Sequence, residues 1–255
     1  MITTSRAIAS AAALAAALLI VGCAGSSGDQ TPTSSPSPDT STHTDAPILG
    51  DDVEAAWLDE GRMFAILTWG SSTCVPVVDE VSAEGQTVTV SLVDAPSSDG
   101  TERACTMDLA PRASVGAIPE GVDPTRDVEF IVTAGADTDD VDLDGNSALT
   151  GTPGDATDYE PSAGWFDDDG IVLLTWGSSG CLPIVEGVDV QRGGATVTFA
   201  TEDRACTMDM APRATIIGLD DNDDDDDVDD DRDENEFVLT LVGDNLDGTV
   251  AVRRG

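Results

Sequence analysis

The residues of this chain with the types and spacing to do chemistry are five cysteines, two serine pairs and a repeated Asp/Arg pair. Cys23 stands alone. Cys74 and Cys105 form one pair, and Cys181 and Cys206 another. Neither pair has C-x-x-C spacing, and the single histidine, His43, is far from both, which argues against zinc. If the chain is exported, one disulfide per pair is the simplest arrangement. Ser71, Ser72, Ser178 and Ser179 could supply a nucleophile, but the chain has no lysine and no second histidine to serve as base, so they read as turn residues. Asp108 and Asp209 are each followed four residues later by Arg112 and Arg213. They read as a structural ion pair beside each disulfide, with a ligand site as the alternative. Trp69 and Trp176 each close an apolar run and read as core or rim residues; an exposed platform for a glycan is the alternative. Paired carboxylates for a hydrolase carry little weight, because 50 acidic residues make such pairs inevitable.

Asp140, Asp142, Asp144 and Asn146 have the spacing of the first half of a calcium loop. The later positions depart from it: Ser147 stands where an apolar residue belongs, and Gly151 where the closing Glu belongs. A hairpin turn is the better reading, and Ca2+ is the only cofactor the sequence suggests. Asp220 to Glu236 is almost wholly acidic, with Arg232 as its one cation. It reads as a solvated, self-repelling loop or as a weak, unselective binder of divalent cations.

These residues belong to a duplication. Thr68-Trp69-Gly70-Ser71-Ser72-Thr73-Cys74 returns as Thr175-Trp176-Gly177-Ser178-Ser179-Gly180-Cys181, and Arg103-Ala-Cys105-Thr-Met-Asp108 returns as Arg204-Ala-Cys206-Thr-Met-Asp209. Trp69 and Trp176 are 107 positions apart, as are Cys74 and Cys181, and as are Phe130 and Phe237; Cys105 and Cys206 are 101 apart. Length differences thus fall between the motifs, as expected for loops on a shared framework.

The elements that must position the motifs read as strands. Met63 to Trp69 and Ile171 to Trp176 are continuous apolar runs, which predicts strands buried on both faces. Each is entered through a hairpin, at Asp59-Glu60-Gly61 and at Asp167 to Gly170. Thr87 to Val93 alternates, as does Thr196 to Ala200. Arg112 to Ile118, Val128 to Thr133, Arg213 to Leu219, Phe237 to Val242 and Thr249 to Val252 complete the set, with Asp142 to Gly145 and Asp247-Gly248 as turns. No stretch has a long helical period. The expected fold is all-β: two tandem homologous small antiparallel sandwich or barrel domains of about six strands, with one disulfide each. The boundaries are 51–146 and 163–255, with a polar linker at 147–162.

Before them, Met1 to Gly22 carries one charge, Arg6, and a short alanine-rich apolar run that fits a secretory signal better than a membrane span. Residues 23–50 are rich in Ser, Thr, Pro and Gly and read as a disordered linker. The formal charge is −39. Such a chain repels nucleic acid and anionic lipid headgroups and attracts cations.

Leu19-Ile20-Val21-Gly22-Cys23 resembles the lipobox of bacterial lipoproteins. That resemblance implies cleavage before Cys23, acylation of Cys23, and a firm hold on the membrane through two or three acyl chains. Trp-Gly-Ser-Ser-x-Cys-x-Pro followed by Cys-Thr-x-Asp-x-x-Pro resembles a module of actinobacterial lipoproteins of unknown function, and it covers both copies. It implies location on the extracytoplasmic face of the cell membrane and brings no catalytic residue with it. The expectation is therefore a lipid-anchored, non-catalytic envelope protein that binds or scaffolds an unidentified envelope ligand or protein. A divalent-cation-binding surface protein and a carboxylate-based hydrolase are the alternatives.

Overall fold

Two apolar octapeptides set the architecture. The computed structural model describes residues 49, 53–96, 104–219 and 237–255. The signal segment, Cys23 and the acidic run lie outside them. In the first copy the strands are β1 (Glu54–Leu58), β2 (Met63–Gly70), β3 (Pro76–Glu84), β4 (Thr87–Asp94), β5 (Ala110–Ala117), β6 (Val128–Ala134) and β7 (Asp137–Leu143). In the second they are β8 (Ser162–Asp167), β9 (Gly170–Gly177), β10 (Val185–Gln191), β11 (Gly194–Phe199), β12 (Ala211–Gly218), β13 (Val238–Val242) and β14 (Gly248–Arg253). A single 3-10 turn, Asp59–Gly61, joins β1 to β2, with Asp59, Glu60 and Gly61 all at positive φ.

The fold is all-β, with seven strands per copy among the described residues rather than six. The strands are not all antiparallel. The order β3-β4-β6-β7 contains a parallel pair, β4 with β6, and β11 with β13 repeats it. The copies differ in closure. In the second, β14 pairs in parallel with β8, making one seven-stranded sheet, β10-β11-β13-β14-β8-β9-β12. In the first, β1-β2-β5 and β3-β4-β6-β7 are separate sheets.

Registers correct one sequence match. Val88 pairs with Phe130, whereas Ala195 pairs with Leu239. Phe130 therefore corresponds to Leu239 and not to Phe237. The aromatic contacts follow suit: Phe64 packs on Phe130, and Trp165 packs on Phe237, each with centroids 5.0 Å apart.

Each copy has its own core: Trp57, Phe64, Ile66, Val88, Val90, Phe130 and Val132 in the first, Leu173, Val197, Phe199, Ile217, Leu239 and Leu241 in the second. A third core lies between them. Ala56, Leu58, Met63, Ala65 and Leu67 pack with Val172 and Leu174, flanked by Trp69 and Trp176. This explains why β2 and β9 are apolar on both faces: one face meets the strand's own copy and the other meets its duplicate. The described residues of the two copies consequently form one compact unit.

The expected linker at 147–162 is seated on this body. Leu149 is buried in the first core, Gly151 N–H donates to Glu60 O at 2.8 Å, and Arg62 bridges Asp59 (2.7 Å) and Asp158 (2.9 Å). Gly164 permits the close approach of the copies, since a Cβ there would collide with the Trp57 carbonyl and press on Ala56.

Candidate functional site

The duplicated motifs meet in space, once in each copy. Strand β2 ends at Gly70, where the missing side chain leaves room for the Arg112 guanidinium of β5: a Cβ would sit 2.6 Å from Arg112 Cζ. Gly177 and Arg213 repeat the fit at 2.7 Å. The chain then turns tightly, with Cys74 N–H donating to Ser71 O and Cys181 N–H to Ser178 O, both at 3.2 Å. The turn is cross-linked by Cys74–Cys105 in one copy and Cys181–Cys206 in the other, each with Cα atoms 5.5 Å apart.

Past each disulfide, a threonine and an aspartate latch the second segment onto the first. Ser71 Oγ and Thr106 Oγ1 are 2.8 Å apart, and Thr106 N–H donates to Thr73 Oγ1 at 3.1 Å. Thr106 Oγ1 donates to Asp108, and Ser72 N–H reaches both carboxylate oxygens at 3.3 Å. In the second copy Ser178 Oγ lies 2.7 Å from Thr207 Oγ1, Gly180 N–H donates to Thr207 Oγ1 at 3.2 Å, and Asp209 accepts from Ser179 N–H and from Thr207. Hydrogen bonding from Ser72 and then Thr106 lowers the Asp108 carboxyl from 3.8 to about 2, and Ser179 and Thr207 do the same for Asp209.

The expected Asp–Arg ion pair is replaced by a division of labour. The aspartates accept from the turn, while the arginines point under it. Arg112 donates to Cys74 O at 3.0 Å, Thr68 Oγ1 at 3.2 Å and Trp69 O at 3.3 Å; Arg213 donates to Cys181 O and Trp176 O, both at 3.0 Å. A guanidinium fork satisfies two carbonyls on opposite sides of a turn, which no shorter donor can do. Burial pushes both arginine pKa values down, opposed by Asp94 at Arg112 and by Asp244 at Arg213.

Trp69 and Trp176 are half-buried against the shared core, and Tyr159 stands edge-on to Trp176 with centroids 5.0 Å apart. Asp140 and Asp142 lie on β7, not in a loop, and their partners across the ladder are Ile131 and Glu129. Asp144 O accepts from the Trp57 indole at 2.8 Å, and Asn146 Nδ2 donates to Arg254 O at 2.9 Å. Among the described residues no three His, Cys, Asp or Glu side chains converge on a metal position.

Three features were not singled out from the sequence. Thr106 and Thr207 are the hubs of the latches. Met107 and Met208 project from them fully into solvent, followed by exposed Leu109 and Met210. The signal was present, since Thr-Met is retained inside both copies of the motif. A third feature is a shallow pocket of about 130 Å³ at the seam between the copies, lined by Asp59, Glu60, Ser162 and Arg253. Comparison with family models, curated proteins and solved structures gives no match to this chain.

Proposed function

We propose that the chain is a lipid-anchored protein of the extracytoplasmic face of the cell membrane, and that its β-modules bind or scaffold a partner without catalysing a reaction. One observation carries the non-catalytic part. The hydroxyls and charged groups at the head of each turn are engaged in building it: Ser71 and Ser178 with threonines, those threonines with aspartates, and the arginines with main-chain carbonyls. A nucleophile needs a base within hydrogen-bond reach, and here the hydroxyls lead only to aspartates held in their ionised form, too weak as bases to activate them. A rigid turn with apolar side chains at its crest suits recognition.

The anchor rests on the Leu-Ile-Val-Gly-Cys23 context. Cells expressing Cys23→Ser should release the protein from the detergent phase into the aqueous phase. Unchanged partition would refute the anchor and leave the binding reading to be judged separately.

A further inference from the structure

Met107 and Met208 are each 103 % exposed, Leu109 is 78 % and Met210 is 64 %. Lone apolar side chains in water are ordinary on a protein surface. These are not lone, because the same pair of positions is apolar and exposed in both copies. Nothing in the latch calls for them: its hydrogen bonds run through the residues on either side, Thr106 and Asp108 in one copy, Thr207 and Asp209 in the other. Spacing between the motifs has drifted, with the cysteines 31 residues apart in one copy and 25 in the other, yet a methionine stands at the crest both times. In the second copy Leu182 and Ile184, next to Cys181, add exposures of 51 % and 40 %.

The crest is also preorganised. A disulfide, an arginine fork and a Ser–Thr–Asp latch fix the main chain on both sides of each methionine. Little conformational entropy remains to be lost there on binding. The methionine side chain itself is flexible and polarisable, and adapts to irregular apolar surfaces.

Charge selects the occupant. Asp108 and Asp209 lie one residue from each methionine and are exposed, and Asp94 and Asp244 act on the arginine beneath each turn. Those arginines face inward, onto carbonyl oxygens, and the cation beside the second turn, Arg204, is already engaged by Glu202 at 3.4 Å and by the Leu182 carbonyl at 2.6 Å. Hydrogen bonding keeps Asp108 and Asp209 ionised down to about pH 2. With −39 on the whole chain, a second copy and an anionic bilayer are both repelled, and a zwitterionic bilayer gains nothing from the carboxylates. A cationic surface with an apolar face matches both parts of the crest.

We propose that the two cystine turns are docking elements, in which Met107 and Met208 contact the apolar face of a cationic amphipathic protein segment while the flanking aspartates meet its basic residues. This deepens the binding reading above and rests on it.

The test uses the full chain in phosphatidylcholine nanodiscs. The probe is a synthetic Lys/Leu peptide with amphipathic helical spacing; the control is the same composition scrambled to remove the apolar face. At physiological salt, the double variant Met107→Ser/Met208→Ser should bind the amphipathic peptide about tenfold more weakly or worse. Met107→Leu/Met208→Leu should bind like the parent, and the scrambled peptide should bind all three chains alike and weakly. Equal affinity of parent and serine variant, or equal binding of the two peptides, overturns the proposal. So does methionine-dependent binding to peptide-free vesicles, or methionine-dependent dimerisation in sedimentation velocity, since either names a different occupant. The serine variant should keep the parent's urea midpoint, which separates loss of docking from loss of fold. Cys23→Ser fractionation is read independently, so the anchor and the docking surface fail separately.

Discussion

Removing the disulfide of either copy perturbs the same turn through loops of nearly equal length. The cysteines are 31 residues apart in the first copy and 25 in the second. In the chain-entropy model, Cys74→Ala/Cys105→Ala should cost about 3.7 kcal/mol and Cys181→Ala/Cys206→Ala about 3.5 kcal/mol. The surroundings reverse that order. Cys105 is exposed and Cys74 half-buried, but Cys181 is only 7 % exposed. The space left by its sulfur should add roughly 1 kcal/mol. The second copy should therefore suffer more, despite its shorter loop. At roughly 2–4 °C per kcal/mol for a body of this size, either variant should melt some 7–14 °C lower or more. Urea unfolding followed by tryptophan fluorescence measures the difference, and the shared core predicts one transition. A loss below about 1 kcal/mol in either copy would mean that the Ser–Thr–Asp latch and the arginine fork hold the turn without the cross-link. Two separated transitions would refute the single cooperative body.

Further outcomes follow from particular contacts. Gly164→Val should destabilise by more than about 2 kcal/mol, because its branched side chain meets the Trp57 carbonyl and Ala56, whereas Gly187→Ala, where a Cβ meets open space, should be nearly neutral; thermal melts compare them. Phe64→Ala, at a fully buried ring packed at a tilt against Phe130, should cost about 3–5 kcal/mol in urea unfolding. Asp108 and Asp209 have folded-state pKa values below 3.8, so the stability they contribute is present above pH 4 and is lost as pH falls towards 2. Carboxyl-carbon NMR should find both midpoints near 2 and see Asp108 rise towards the ordinary value in Thr106→Val; a parent midpoint near 3.8 would refute the latch.

Much of the frame was legible because local patterns carry it. The alternation of Thr87 to Val93, the apolar runs of β2 and β9, and the hairpin at Asp59–Gly61 all appear where their residues place them. The pairing of cysteines within each copy does too. What escaped depends on partners distant in sequence. An apolar run announces that both faces of β2 are covered, but not that the second cover is the other copy. The parallel pairing of β4 with β6 is a matter of connection, and alternation alone does not encode it. Strand β7 was hidden by its aspartates: Val141 and Leu143 turn inward, while Asp140 and Asp142 give the ladder an acidic outer face that mimics a calcium loop. Strand β3 was hidden in the same way by Asp79, Glu80 and Glu84. At the site, the motifs foretold a cross-linked turn. They could not foretell that Arg112 would pass beneath it and leave Asp108 to the hydroxyls, because the space for that guanidinium is created by the absent side chain of Gly70.

The contacts of residues 253 to 255 bear on how the chain can mature. Arg253 pairs with Glu60 across 193 positions at 2.9 Å, Arg254 O receives the Asn146 amide, and Gly255 lies against Leu143 and Trp57. The first copy thus borrows part of its wall from the far end of the second. A chain delivered from its amino terminus presents β1 to β7 long before those residues arrive. Until they do, Glu60, Asn146 and Trp57 lack these partners. Closure of such distant contacts is slow relative to local hairpins. Truncation just before residue 253 should therefore leave the first copy incomplete although every one of its own strands is present.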